Sequence, residues 1–381
     1  MRPQVPLNPA DVHSVAHAFD DGGAGDTVTP MAFQEIPSVS LDHWRGAGAD
    51  RDAFADRLRQ ICHEVGFFRL VDHGVDPAFL HEYFTALQAF FALPDEAKAQ
   101  IDKLNSPWFR GWERVGAELT DNRVDHREQI DVWTELDPRP SDVEPAYLRL
   151  EGPNQWPDDE VLPGFRSLVE RFQREMGAIA DQVMAAMSLG LGLDADHLDR
   201  MFGDRRMSLV KLIHYPPTPA GEAGVNAHHD AGFLTLLWQH GVGGLQVQNQ
   251  DGDWIDVPVE DDAIVVNLGE MLQSITGNYY VANNHRVFAS QERFSSAYFH
   301  GPALITPLDP LPLDERFALA VAASKHHRET GFMAKRDELL AGASGTTSAS
   351  AGTYGQQLWN YFIRSYPELV CRHHPDLVTA D

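Results

Sequence analysis

After Ser208 the apolar residues stop recurring at helical spacing and begin to alternate, and this change limits the possible folds more than any other feature of the chain. Short alternating runs follow one another at 209–215, 234–239, 245–249, 254–257, 263–268, 279–283, 286–289 and 295–300. Asp251-Gly252, between two of them, is a hairpin signal, because both residues tolerate the backbone of a tight turn. Roughly eight strands in about 90 residues predict a jelly roll or another double-sheet barrel. The expected fold class is α+β with a mainly β core: a double-stranded β-helix (jelly roll) flanked by helices.

The flanking segments read differently. Residues 1–32 are rich in Gly, Asp, Pro and Ala and are expected to form a flexible extension. An N-terminal domain with supporting helices is expected over 33–205, the jelly-roll core over 206–310, and a helical region over 311–381. Phe54, Leu58, Ile61, Cys62 and Val65 share a helical face that Gly66 ends. Residues 67–71 read as a buried strand. Asp76-Pro77 starts a helix, with a capping carboxylate followed by proline at the first position. A strong helix is expected over 164–189. The low-complexity stretch 341–352 reads as a flexible loop, and Thr353 as the cap of a last helix.

Chemistry concentrates in Asn226-Ala227-His228-His229-Asp230-Ala231-Gly232. On an extended strand His228 and Asp230 leave the same face, and His229 the opposite one. The triplet alone is weak: the chain has 18 histidines, and any one of them is more often a surface or core residue than a ligand. A third ligand is available far downstream, His285 in Asn283-Asn284-His285-Arg286-Val287. Two imidazoles and one carboxylate on one side of an ion leave its other side open, the facial triad of non-heme Fe(II) oxygenases.

Composition excludes some partners. Lys plus Arg is 30 and Asp plus Glu is 56, a formal charge of −26, which repels phosphate backbones and anionic lipid surfaces. No nucleic acid and no membrane are therefore expected as partners, and nothing in the charge selects a substrate. Two cysteines outside any C-x-x-C motif, no signal-peptide core, and no run of about 18 apolar residues predict a cytoplasmic protein with reduced thiols. Oligomeric state is left open.

Beyond this reading, residues 208–302 resemble the core of the isopenicillin N synthase-like family of Fe(II)- and 2-oxoglutarate-dependent dioxygenases. The resemblance is carried, in order, by Lys211-Leu212-Ile213-His214-Tyr215-Pro216-Pro217, Ala227-His228-His229-Asp230, Gly243-Gly244-Leu245-Gln246-Val247, Val265-Val266-Asn267-Leu268-Gly269-Glu270, His285-Arg286-Val287 and Arg293-Phe294-Ser295. Val65-Gly66-Phe67-Phe68 and Arg110-Gly111-Trp112 fit the companion N-terminal domain, so the likeness spans about 33–375. Tyr298-Phe299-His300, Tyr354-Gly355 and Tyr366-Pro367 are most similar to bacterial members such as the ethylene-forming enzyme.

The resemblance implies Fe(II) on His228, Asp230 and His285, with 2-oxoglutarate and O₂ as cosubstrates and ascorbate as an optional reductant. Arg293 would grip the far carboxylate of 2-oxoglutarate, helped by the Ser295 hydroxyl and the Tyr215 phenol. Phe299, Phe233 and Arg110 match positions expected to touch the substrate. Ile213 departs from many plant members, which have asparagine there, so one cosubstrate contact is missing. The implied activity couples decarboxylation of 2-oxoglutarate to succinate with hydroxylation, desaturation or cyclisation of a small organic molecule. Two rivals share the fold: an iron oxidase of the isopenicillin N synthase or aminocyclopropanecarboxylate oxidase type without 2-oxoglutarate, and ethylene formation from 2-oxoglutarate itself. A zinc or metal-free cupin-like binding module is the rival from another class.

Overall fold

Fourteen strands make up the sheets of the computed structural model, which describes residues 32–120, 123–219, 221–329 and 352–377. The expected extension up to residue 31 and the low-complexity segment up to residue 351 lie outside the described residues. The strands are β1 (Ser38–Ser40), β2 (Phe67–Val71), β3 (Gly111–Glu113), β4 (Leu119–Thr120), β5 (Arg123–Val124), β6 (Glu128–Trp133) and β7 (Leu209–Tyr215), followed by β8 (Val225–His228), β9 (Leu234–His240), β10 (Leu245–Gln248), β11 (Trp254–Asp256), β12 (Ile264–Leu268), β13 (His285–Val287) and β14 (Arg293–His300). Eight of them form one sheet in the order β1-β2-β12-β9-β14-β7-β6-β3. Four form a second sheet in the order β11-β10-β13-β8, and β4-β5 is a separate hairpin.

Cross-strand partners point to the same side of a sheet, so the register defines two faces. On one face Asn267 lies opposite Thr235, Thr235 opposite Phe299, Phe299 opposite Leu209, and Leu209 opposite Trp133. Ser295 lies between Gln239 and Ile213, and Arg293 opposite Tyr215. The other face is covered by helices. Tyr83, on helix Pro77–Phe91, shares a 2.7 Å hydrogen bond with the Ser296 hydroxyl and stacks on Phe172 at 4.4 Å. Phe172 belongs to helix Phe165–Gly190, which buries Val169, Met176, Ile179, Val183 and Met187 at the spacing its sequence shows. Each such side chain contributes about 1.5–3 kcal/mol by leaving water.

Asp76 accepts from the Ala78 N–H and Thr353 from the Gln356 N–H, so both expected helix caps are present. Residues 279–283 are not a strand. Their apolar side chains are buried, but their backbone is bonded irregularly: Val281 N–H to the Cys62 carbonyl and Ala282 N–H to Gln273 Oε1. A short helix not expected from the sequence, Glu270–Ile275, precedes them. The apolar run belongs to a core loop rather than a paired strand.

The described residues from Phe33 onward form one compact unit. Strands from before residue 205 flank the later ones at both ends of the large sheet, so the expected segments 33–205 and 206–310 share a single sheet. Gly66 (φ +66°) sits where a Cβ would run into the Val281 carbonyl oxygen, whereas Gly277 (φ +62°) has nothing within 4 Å. Gly277→Ala should cost only the left-handed backbone strain, roughly 1–2 kcal/mol, and Gly66→Ala measurably more. Urea unfolding of the two variants checks this; equal losses would mean that the close approach at Gly66 is unimportant.

Candidate metal centre and cosubstrate pocket

The second sheet brings the two histidines together. β8 and β13 pair antiparallel with His285 directly opposite His228. Asp230 follows two residues after the end of β8, in the chain between β8 and β9 rather than on the strand itself. Its Oδ1 lies 3.6 Å from His228 Nε2 and 3.7 Å from His285 Nε2, and the three donor atoms are all within 4.8 Å of one another. His229 is exposed.

The remaining polar atoms of all three residues are engaged. His228 Nδ1 is 2.9 Å from the Asn226 carbonyl, and His285 Nδ1 is 3.1 Å from the Asn283 carbonyl. A carbonyl only accepts, so each Nδ1 carries the proton and each Nε2 presents its lone pair. Asp230 Oδ2 accepts from Thr235 Oγ1 and Asn267 Nδ2, both at 2.6 Å. Oδ1 is left to ligate. Burial opposes the Asp230 charge, but His285, His228 and the Thr235 hydroxyl outweigh it and hold the carboxyl well below its usual range. Burial, together with His228, lowers His285 to about 4, so its imidazole is neutral at neutral pH. This donor set fits a divalent first-row metal with open positions.

Arg293 is fully buried. Nη1 donates to Ser295 Oγ at 2.9 Å and Nη2 to Gln239 Oε1 at 3.3 Å, while Nε has no partner. The Tyr215 ring lies 4.7 Å from the guanidinium. Burial pushes the Arg293 pKa down, and among the described residues no carboxylate lies within ion-pair distance of it. A guanidinium with only neutral partners in such a place carries a desolvation penalty of several kcal/mol, which an anionic ligand offsets. The arrangement fits the far carboxylate of 2-oxoglutarate. Ile213 stands opposite Ser295, an apolar residue beside that hydroxyl.

The three expected substrate residues part company. Phe299 lies on the same face as Thr235, its cross-strand partner, whose hydroxyl holds Asp230. Phe233 is buried among aromatics, 5.1 Å from Phe202 and 6.3 Å from Tyr354. Arg110 is buried and donates to the carbonyls of Thr134 and Leu150 and to Asn154 Oδ1. It therefore pins the chain around 134–154, and burial lowers its pKa to about 9.

A buried chain of ion pairs had no counterpart in the sequence analysis. Lys103 binds Glu113 and Asp131, Lys211 binds Glu118 and lies 3.6 Å from Asp131, and Arg127 binds Glu118 and Asp125. Asp125 Oδ1 accepts from the backbone and side-chain nitrogens of Asn226, whose carbonyl holds His228. The chain thus runs up to a candidate metal ligand. Its one sequence signal is the alternation of Gln129 and Asp131 with Ile130 and Val132 in a strand that buries both faces.

Residues 206–302 match the 2OG-Fe(II) oxygenase superfamily, and residues 36–159 match the family described as the N-terminal region of non-haem dioxygenase in morphine synthesis. The chain is 33% identical over 319 residues to 2-oxoglutarate-dependent dioxygenase frbJ of Dothideomycetidae sp., covering 81% of this chain and 84% of the relative. It is 28% identical over 310 residues to a 1-aminocyclopropane-1-carboxylate oxidase of Dictyostelium mucoroides, covering 71% and 83%. A full-length Neurospora crassa protein, solved in complex with alpha-KG and 5-formyluracil, superposes with a TM-score of 0.62 at 26% identity, covering 73% of this chain and 87% of that one. These relatives are not bacterial, so the expected bacterial branch finds no support among them. With the two family matches laid over a His-Asp-His triad and a buried arginine, the chain belongs to the 2OG-Fe(II) oxygenase superfamily as a non-heme Fe(II)- and 2-oxoglutarate-dependent dioxygenase.

Proposed function

We propose that His228, Asp230 and His285 hold the Fe(II), that Arg293, Ser295 and Tyr215 hold 2-oxoglutarate, and that a small organic molecule is oxidised at a C–H bond beside Phe299. The observation that carries this reading is the convergence of Asp230 Oδ1 with two imidazole Nε2 atoms whose other nitrogens are tied to carbonyls. When bound, Fe(II) and 2-oxoglutarate supply the oxidising chemistry: O₂ is consumed, 2-oxoglutarate leaves as succinate and CO₂, and the substrate C–H bond is oxidised.

The chain itself binds and orients. Asn226 and Asn283 carbonyls fix the imidazole tautomers. Thr235 and Asn267 act as positioning residues that turn Asp230 Oδ1 toward the metal. Arg293 would hold the far carboxylate of 2-oxoglutarate from β14 of the large sheet. A small substrate is favoured by the Neurospora crassa protein, which has been solved with thymine as well as with 5-formyluracil. Within this reading, 33–205 is the supporting frame and 206–310 the catalytic core, and the described residues beyond 311 add the helices Glu315–Ala323, Lys325–Glu329, Tyr354–Ser365 and Pro367–His373. A cytoplasmic location accompanies it: Cys62 and Cys371 are both free thiols, and among the described residues no helix is long and apolar enough to cross a membrane. Kinship with the bacterial ethylene-forming enzyme rests on Tyr298-Phe299-His300 and its companion motifs alone, and headspace analysis for ethylene tests it.

His228→Ala or Asp230→Ala should abolish succinate formation and leave the unfolding transition in place. Full activity in either variant would remove the site assignment. Thr235→Val and Asn267→Leu should weaken metal binding about 10–100-fold without touching a ligand atom, as read by metal titration. Arg293→Ala should raise the KM for 2-oxoglutarate at least about 30-fold, because truncating one partner of a buried charge pair removes roughly 2 kcal/mol or more. An unchanged requirement would favour oxidation without this cosubstrate.

A further inference from the structure

Strands β8 and β13 do more than carry the two histidines: they also line an open cavity of about 410 Å³. Its floor includes Asn226 and Ala227 of β8, Arg286 of β13 and Phe288 just beyond that strand. Arg286 follows His285, so the two side chains leave opposite faces of the small sheet. The cavity therefore reaches the back of the strands whose front presents the imidazoles.

Its walls are fixed by the protein itself. On one side stands the β4–β5 hairpin, which contributes Arg123 and Val124, and on the other the chain ahead of β8, which contributes Glu222. Asn226 Nδ2 donates to the Val124 carbonyl at 3.2 Å and to Asp125 Oδ1 at 3.0 Å, tying the hairpin to the floor. His126 Nε2 lies 2.6 Å from a Glu222 carboxylate oxygen, tying the hairpin to the opposite wall. The space is thus formed before any ligand enters.

Arg286 is held ready inside it. Its Nε donates to Gln246 Oε1 at 2.9 Å, and the Gln246 amide is oriented in turn by donating to Asp256 Oδ1 at 2.9 Å. The guanidinium lies 3.8 Å from the centre of the Trp254 ring and 4.7 Å from that of Phe288. Its two terminal nitrogens have no hydrogen-bond partner among the described residues. Burial pushes its pKa down with no carboxylate to oppose the shift. Arg123, exposed on β5, is likewise outside any ion pair among the described residues. The chain has 56 acidic residues against 30 basic ones, so two arginines without carboxylates in one cavity are a local reversal of charge. The one carboxylate of the lining, Glu222, is already paired with His126.

We propose that this cavity binds a small organic carboxylate, at a site separate from the Arg293 pocket of the large sheet. The terminal nitrogens of Arg286 form a planar fork that matches a carboxylate, and a fork already immobilised against two rings loses little freedom on binding. Arg123 adds a second positive charge from the hairpin. Val124, Ala227 and Phe288 give the cavity apolar surface for a carbon skeleton, and its volume lies within the range of small-molecule pockets. The proposal does not depend on the dioxygenase reading, because none of these residues is a metal ligand or a cosubstrate contact.

Calorimetric titration of the full chain tests it, with phenylacetate, benzoate and hexanoate as probes and phenylacetamide and inorganic phosphate as controls. At least one of the three acids should bind, and phenylacetamide should bind at least about 10-fold more weakly than phenylacetate. Arg286→Gln should weaken acid binding about 10–100-fold, the range for lost hydrogen bonds to a charged group. Arg123→Gln, at an exposed position, should weaken it about 2–5-fold. Arg293→Ala should leave it unchanged. None of the three acids binding, the amide binding as well as its acid, phosphate binding in their place, or unchanged affinity in both cavity variants would overturn the proposal. So would a loss confined to Arg293→Ala, which would put the acid in the cosubstrate pocket. Should Arg286→Gln fail to fold, Arg123→Gln decides.

Discussion

The Asp230 carboxylate holds the functional part of this molecule together. One oxygen is bonded to Thr235 on β9 and Asn267 on β12, both in the large sheet, and the other faces His228 and His285 of the small sheet. A single side chain thus links the two sheets at the candidate metal centre. A buried carboxylate with two charge-assisted donors on one oxygen is rigid, and its free oxygen has one direction to point. Rigidity of this kind is what a facial triad requires, because one misdirected ligand closes the open side.

Charge burial is organised differently at the two ends of the pocket. Arg293 is surrounded by neutral partners, a serine, a glutamine and a tyrosine ring, which leaves its charge available to an anion. Lys211, on the neighbouring strand, is neutralised by its own carboxylates. Both cations face the same interior surface, yet only Lys211 has carboxylates paired with it. Counting basic residues in a pocket would miss the difference; following each one to its partners reveals it.

Much of the site was legible from the residues. Strand pairing sets His228 against His285 and puts Arg293 and Ser295 on one face of β14, whereas Asp230 reaches the histidines from the chain beyond β8. Arg110 and Phe233 were not legible. A basic or aromatic residue in a motif says nothing about which neighbour it meets, and here Arg110 meets backbone carbonyls and Phe233 meets Phe202 and Tyr354. The strand expected over 279–283 failed for a related reason: burial on both sides of a loop produces the same apolar pattern as burial on both sides of a strand.

Local order in the chain was sufficient for the helix caps at Asp76 and Thr353, the long helix over 165–190 and most of the strands after 208, since each is marked by residues a few positions apart. Tertiary structure alone decided which strands became neighbours, and with them the row from Trp133 to Asn267 and the ion pairs that quench Lys211. Those contacts join residues that are remote in sequence, and hydrophobic periodicity records which way a side chain faces but not what stands across from it.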